Sequence, residues 1–272
     1  MIFILIVLIL AISLFFINQK NKESKLEKTS TPTIEDKLKQ EKYYIEKNKT
    51  RYITYYNNNS NLQLDKVIIN VNCNLDKTKY EDIIKTDTKK NNLMLVNKYY
   101  YLTENFVPNN LITLDEKYNK GINSKMQKEA ADAFMKMSDA GLLDNIIIKN
   151  ASAYRSYEYQ VNLYNNYVQK DGKKAADTYS ARPGFSEHQT GLVSDINQID
   201  SGFENTDAFR WLDKNAYKYG FILRFPKDKE DITGYSYEPW HYRYVGTKAS
   251  KIIKDENLTL EEYYAYYVEN KN

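Results

Sequence analysis

His188 and His241 are the only histidines among 272 residues, and each sits in a dense polar motif. The first motif runs Ser186-Glu187-His188-Gln189-Thr190-Gly191-Leu192-Val193-Ser194-Asp195, and the second Glu238-Pro239-Trp240-His241. His188, Asp195 and His241 offer two imidazoles and a carboxylate. That donor set suits a catalytic zinc, which keeps its fourth position for water. The spacing of seven between His188 and Asp195 is not the i, i+4 interval that puts two ligands on one helix face. It suits a chain that turns at Gly191 and returns as a strand. Glu238 lies three residues before His241 and is held by Pro239, so it could reach water at such a site as a general base. Ligand types alone leave a second reading open, in which both histidines are ordinary hydrogen-bonded or surface residues.

The hydrophobic pattern supplies elements to carry these residues. Lys125 to Ala140 reads as the clearest helix, with Met126, Ala130, Ala133, Phe134 and Met137 on one face and Gly141 at its C-terminal cap. Ile146, Ile147 and Ile148 read as a short buried strand that delivers the chain to Ser152. Leu93 to Val96 reads as another strand, ending in a turn at Asn97 and Lys98. A second amphipathic helix runs from about Thr206 or Asp207 to Tyr219, with Gly220 as its stop. A third begins at Thr259, where Thr259 and Glu262 have the spacing of a capping box. Helices interleaved with short strands predict an α+β domain: a small antiparallel sheet flanked by helices.

Composition narrows the function classes. With 42% hydrophobic and 28% charged residues, the chain can bury a sizeable core. A net charge of +3 is too small to suggest nucleic acid as a partner. The lone Cys73 excludes an intrachain disulfide framework and any zinc site built on several thiolates. It has no basic neighbour and reads as a buried thiol rather than a nucleophile. Met1 to Ile17 is apolar except for Ser13, and no A-x-A-like cleavage site follows, which favours a retained membrane anchor over a cleaved signal. Lys20, Lys22, Lys25 and Lys28 follow the apolar run, and the positive-inside rule would keep them cytoplasmic. The chain therefore divides into a membrane anchor or uncleaved signal over residues 1–18, a charged tether over 19–50, a small lead-in module over 51–87 and the catalytic domain over 88–272.

The full motifs go further than ligand types. Arg182-Pro183-Gly184-Phe185-Ser186-Glu187-His188 with Gly191 and Asp195, then Gly234-Tyr235-Ser236-Tyr237-Glu238-Pro239-Trp240-His241-Tyr242-Arg243-Tyr244-Val245-Gly246, closely resemble the VanY-type D-alanyl-D-alanine carboxypeptidases. These belong to the zinc-peptidase group with lysostaphin-type and hedgehog-like members. Ser152-Ala153-Tyr154-Arg155-Ser156-Tyr157-Glu158-Tyr159-Gln160 is similar to the family's upstream block, and Leu95-Val96-Asn97-Lys98 to its domain entry. The resemblance implies one zinc ion per chain, bound by His188, Asp195 and His241, with Glu238 activating water and then protonating the leaving amine. It implies Arg155 as the group that polarises the scissile carbonyl and steadies the oxyanion, and it places Gln160 and Ser186 near the substrate's C-terminal end.

The implied substrate is a peptidoglycan stem peptide, and the implied reaction is D,D-carboxypeptidase hydrolysis of its terminal D-Ala-D-Ala bond. Such a substrate lies outside the membrane, which sets function against the charge rule at the N-terminus. Three alternatives stay open: an L,D-carboxypeptidase acting on tetrapeptide stems, an endopeptidase cutting within the stem, and a metal-binding cell-wall module without turnover. The presence of Glu238 speaks against the last. One departure from the family pattern stands just before the aspartate, where Val193 and Ser194 replace a small residue followed by an apolar one. Ser194 is expected to point away from the metal if Asp195 points towards it.

Overall fold

The computed structural model describes residues 13–20 and 31–269. These fall into two compact units, one ending at Ile68 and the other starting at Ile69. Most of the apolar run read as an anchor, residues 1–12, lies outside the described residues. Among the described residues no helix is long and apolar enough to cross a membrane.

The first unit contains α1 (Ile34–Leu38), opened by a reciprocal capping box between Thr33 and Asp36, and α2 (Lys49–Asn58). Leu38, Ile45 and Tyr52 are buried there, and the Tyr52 hydroxyl accepts the Ile45 N–H at 3.2 Å. Helix α3 (Leu64–Asn72) runs across the boundary between the units.

In the second unit, β1 (Ile84–Lys85) pairs in parallel with β2 (Tyr100–Tyr101), and β3 (Leu111–Thr113) pairs antiparallel with β5 (Lys125–Gln127). The main sheet has five strands in the order β4 (Asn119–Asn123), β6 (Asn150–Ser152), β7 (Val193–Ile196), β9 (His241–Tyr244) and β8 (Phe221–Leu223). Its helical partners are α4 (Lys128–Leu143), α5 (Tyr157–Asp171), α6 (Lys173–Tyr179), α7 (Asp207–Asn215), α8 (Glu230–Thr233), α9 (Thr247–Asp255) and α10 (Leu260–Tyr263). The fold is thus α+β, with a sheet flanked by helices.

Alternation along β7 and β9 gives the main sheet two unlike faces. Ile196, Tyr242 and Tyr244 join Met126, Phe134, Met137 and Phe221 in the apolar core. Asp195, His241 and Arg243 occupy the other positions, where the sheet is buried but polar. Ser194 points away from Asp195, and its hydroxyl donates to Asn150 Oδ1 at 2.8 Å. The paired residues Asp195 and His241 lie directly opposite each other.

The structure departs from the sequence reading at several elements, each for a local reason. The main sheet is not wholly antiparallel, because β4 and β6 run in parallel. Helix α4 crosses over between them, the connection that parallel neighbours require. Helix α4 starts at Lys128, since Lys125–Gln127 is a strand, and it runs through Gly141 to Leu143. Gly141 serves close packing instead of capping: a Cβ there would lie 2.8 Å from Ile148 Cδ1. Asn145, with φ 61°, takes the left-handed position beyond the helix. The strand expected over Ile146–Ile148 begins only at Asn150. Leu93–Val96 is no strand either. The carbonyls of Asn92 and Met94 accept from Arg243 and that of Leu95 from Thr86 Oγ1, so their partners are side chains and not a ladder. By contrast, α7, continued by a 3₁₀ turn over Ala216–Tyr219 that stops at Gly220, and the Thr259–Glu262 capping box match the reading.

Gly121 lets the edge strand β4 pass close to β6, since a Cβ there would fall 1.6 Å from the Ala151 carbonyl oxygen. The clash is with backbone, which cannot swing aside. Gly121→Ala is expected to lower stability by roughly 1–3 kcal/mol, the usual cost of overpacking, read from the urea midpoint. An unchanged midpoint would show that β4 is free to move away from β6.

Candidate metal centre and catalytic pocket

A cavity of about 520 Å³ opens against the polar face of the sheet, and His188, Asp195, His241, Glu238, Arg155, Gln160 and Ser186 all line it. The seven residues singled out in the sequence therefore converge on one place.

Local geometry explains how each donor is aimed. Ser186 caps a 3₁₀ turn, Glu187–Thr190, by accepting the His188 N–H. Gly191 ends the turn at φ 67°, a conformation open to glycine, and turns the chain into β7. His188 Nδ1 lies 2.6 Å from the Ala153 carbonyl. A carbonyl can only accept, so Nδ1 carries the proton and Nε2 presents a bare lone pair. That Nε2 lies 3.4 Å from Asp195 Oδ2. His241 turns Nδ1 towards Asp195 Oδ1 at 3.2 Å and Glu238 Oε2 at 3.5 Å. The donor atoms of His188, Asp195 and His241 all lie within 4.8 Å of one another, and all three residues are buried.

Charge reinforces the geometry. Burial, helped by the Arg155 guanidinium, pushes His188 down to about 3, so it is a neutral ligand. Burial acts to lower His241 too, but Asp195, Glu187 and Glu238 around it prevail and raise it to about 9. A proton on His241 thus supplies positive charge to a place surrounded by carboxylates. Burial works to raise Asp195, yet His188, His241 and Arg155 hold its carboxyl well below the usual range. Its Oδ1 is nonetheless a buried oxygen without a hydrogen-bond partner. A set of two imidazoles and one carboxylate, with an unsatisfied oxygen at its centre, fits a divalent metal and matches catalytic zinc chemistry.

The remaining residues surround this cluster. Glu238 is fixed by its N–H on the Phe225 carbonyl at 3.1 Å, and burial raises its carboxyl to about 7. Arg155 donates to Asp195 Oδ2 at 2.6 Å and to Ser152 Oγ at 3.1 Å. Gln160, on α5, commits its Nε2 to the Ala181 carbonyl at 2.8 Å, while its buried Oε1 has no hydrogen-bond partner. Ser186 is partly occupied in capping its own turn. Cys73 is buried, and burial raises its thiol well above the ordinary range, which leaves it inert.

Comparison with known proteins now decides the family. A family model described as D-alanyl-D-alanine carboxypeptidase, VanY, matches residues 123–247. A Bacillus subtilis (strain 168) protein named "Putative carboxypeptidase YodJ" is 45% identical over 205 residues, 70% of this chain and 75% of its own length. The structure of the LdcB LD-carboxypeptidase superposes with a TM-score of 0.64 at 43% identity, covering 70% of this chain and 92% of that one. A vancomycin-resistance D,D-pentapeptidase VanY from a VanB-type cassette, solved in complex with Zn(II), gives a TM-score of 0.54 at 37% identity, covering 63% and 98%.

This chain belongs to the VanY carboxypeptidase family. It is a metallopeptidase by membership, and its His188–Asp195–His241 cluster is the one metal-competent group among the described residues.

Sequence reasoning missed the VanY-family site's buried charges. Glu187, Arg224, Arg243 and Glu261 are each at most 4% exposed and are joined to one another. A signal existed in part. Arg243 alternates with Tyr242 and Tyr244 on a strand that begins at His241, which puts Arg243 and His241 on one face.

The pKa directions fix how the metal-free chain responds to pH. His241 is raised from 6.5 to about 9, so between those values the native state holds a proton that the unfolded chain has lost. Stability must fall as pH rises through that window. Glu238, raised from 4.5 to about 7, acts with the same sign, and His188, lowered from 6.5 to about 3, opposes only through the last half proton that the unfolded chain loses above pH 6.5. Lys98, lowered by burial to about 8, opposes only above that value. Unfolding of the metal-free chain in urea is expected to show stability declining from pH 6.5 to 8, by about 1 kcal/mol per unit for each proton. A rise over that interval would contradict the assignment.

Proposed function

We propose that this chain is a zinc-dependent carboxypeptidase that removes the terminal D-alanine of peptidoglycan stem peptides, acting on the D-Ala-D-Ala end as a D,D-carboxypeptidase. The observation that carries this reading is the convergence in one cavity of three metal donors with Glu238, 3.5 Å from His241 Nδ1, and Arg155 on Asp195.

His188 through Nε2, Asp195 through its carboxylate and His241 through Nδ1 would hold the ion. Zinc, when bound, supplies Lewis acidity that polarises a carbonyl and makes water acidic at neutral pH. Glu238 takes the proton of the attacking water. Glu238, a buried carboxyl whose neutral form burial favours, then gives that proton to the departing D-alanine amine. Arg155, a fixed planar cation at the cavity wall, steadies the oxyanion as charge develops. Gln160 and Ser186 present polar atoms on the same wall, towards the substrate's terminal carboxylate. Such a substrate lies outside the cytoplasm, where the catalytic unit would act behind an apolar anchor at residues 1–18.

A second reading has its own support. The likeness to the LdcB LD-carboxypeptidase is higher, in both identity and TM-score, than that to the D,D-pentapeptidase. An L,D-carboxypeptidase would use the same donors and differ at the pocket for the penultimate residue.

Full-length chain loaded with zinc is to be incubated with pentapeptide and tetrapeptide stems, with and without a chelator, while released D-alanine is followed. Chelator-sensitive release from the pentapeptide alone is expected, whereas release from the tetrapeptide alone moves the enzyme to the L,D class. Glu238→Gln is expected to keep its zinc and lose about 10²- to 10⁴-fold in kcat, the usual worth of a general acid–base. Stoichiometric zinc without release from either stem would overturn the reaction.

A further inference from the structure

Two buried atoms without hydrogen-bond partners face each other behind the metal cluster. His241 Nε2 and Glu187 Oε2 stand 3.7 Å apart, just beyond hydrogen-bond reach. The other oxygen of that carboxylate is fully engaged. Glu187 Oε1 accepts from Arg224 Nε at 2.9 Å and from Arg243 Nη1 at 2.8 Å. The two terminal nitrogens of Arg224 then grip both oxygens of Glu261, at 2.9 Å and 2.6 Å. Asn97 Nδ2 adds a bond to Glu261 Oε1 at 3.1 Å. Arg243 places its remaining donors on the backbone carbonyls of Asn92, Met94 and Tyr244.

Two carboxylates and two guanidiniums make this cluster neutral, and none of the four side chains exceeds 3% exposure. Such an arrangement is a poor way to gain stability, because desolvating four charges cancels most of their attraction and an apolar filling often does as well. It does, however, fix one carboxylate oxygen in place, and that oxygen is aimed at the rear nitrogen of a metal donor. Histidines that ligate metals commonly donate their other N–H to such a carboxylate, which sets the tautomer and the ring orientation. Glu261 stands on α10, outside the matched residues 123–247.

We propose that Glu261 is a positioning residue for the metal centre: through Arg224 it fixes the Glu187 carboxylate, which accepts the Nε2–H of His241 and so presents Nδ1 to the ion. The C-terminal helix α10 thereby belongs to the support of the active site. This rests on the zinc reading above.

The test titrates zinc into the full-length chain against a competing chelator, for wild type, Glu187→Gln, Glu261→Gln, Glu261→Asp and Glu262→Gln. Glu262 is the control, because it caps the same helix through Thr259 N at 2.7 Å and has no hydrogen bond to Arg224. Glu187→Gln is expected to weaken zinc affinity about 10- to 100-fold and Glu261→Gln on the order of tenfold, the range for outer partners of metal-bound histidines. Glu261→Asp keeps the charge and should recover most of that loss. Glu262→Gln should lower the melting temperature and leave zinc affinity unchanged. Wild-type affinity in folded Glu261→Gln, or an equal loss in Glu262→Gln, overturns the proposal.

Nitrogen NMR on the zinc-loaded wild type guards against variants that fail to fold. With only two histidines in the chain, the spectrum should show one ligated through Nε2 and one through Nδ1 with a protected Nε2–H. Two Nε2-ligated rings would overturn the proposal. A wild-type chain that binds no zinc would instead defeat the metal reading itself, whereas zinc binding and D-alanine release with an indifferent Glu261→Gln would defeat this inference alone.

Discussion

Asp195 and His241 face each other across adjacent antiparallel strands, and most of the site follows from keeping that pair in register. A slip of one residue would send both side chains to the opposite face. What prevents the slip is apolar. Tyr242 and Tyr244 alternate with His241 and Arg243, and their rings are buried in the core with Phe134 and Phe221. The Tyr244 ring meets Phe221 edge-on at 5.3 Å, and its hydroxyl donates to Glu129 at 2.8 Å. Hydrophobic burial on one face therefore sets the position of metal donors on the other. His188 comes to the same point from a turn, held by the Ala153 carbonyl on one side and the Arg155 N–H on the other.

Without a metal, the carboxylates around His241 are answered by a proton on the imidazole itself. Asp195, Glu187 and Glu238 converge on His241, and although burial disfavours its charged form the imidazole keeps a proton to about 9. The neighbouring His188 stays neutral because burial disfavours its charged form and the Arg155 guanidinium acts the same way. Two histidines 5.0 Å apart, ring centre to ring centre, thus have opposite protonation habits for reasons visible in their partners. A divalent ion can replace the proton on His241 Nδ1 and satisfy Asp195 Oδ1 at once.

What the sequence made legible was chemistry carried by rare residue types in short motifs. His188, Asp195, Glu238 and His241 could be placed together before any fold was known because the full motifs around the two histidines resemble a known family, where ligand types alone left a second reading open. Helix α7 and the Thr259 cap were legible because their signals are local. Burial without pairing was not. Leu93–Val96 has the apolar content of a strand, but the neighbouring carbonyls answer to Arg243 and Thr86, which no periodicity reports. Gly141 looks like a stop until Ile148 is known to pack against it. Strand direction at β4 depended on where α4 crossed. The charge cluster was the least legible feature, since Asn97 and Glu261 meet across 164 residues of chain.

The fixed surroundings of Glu238 explain why one carboxylate can serve both halves of a hydrolysis. A carboxyl at its ordinary 4.5 is a ready base but holds a proton too weakly to deliver it to an amine near neutrality. Moving it to about 7 needs burial strong enough to outweigh the cations around it. Burial prevails at Glu238, whose side chain is 12% exposed and whose backbone is tied to Phe225, even with His241 Nδ1 3.5 Å away, while Arg224 is neutralised by Glu187 and Glu261 and Arg155 rests on Asp195. The ion pairs that take up those arginines thereby leave Glu238 protonatable, so the buried charges far from the substrate and the acid–base group beside it are parts of one arrangement.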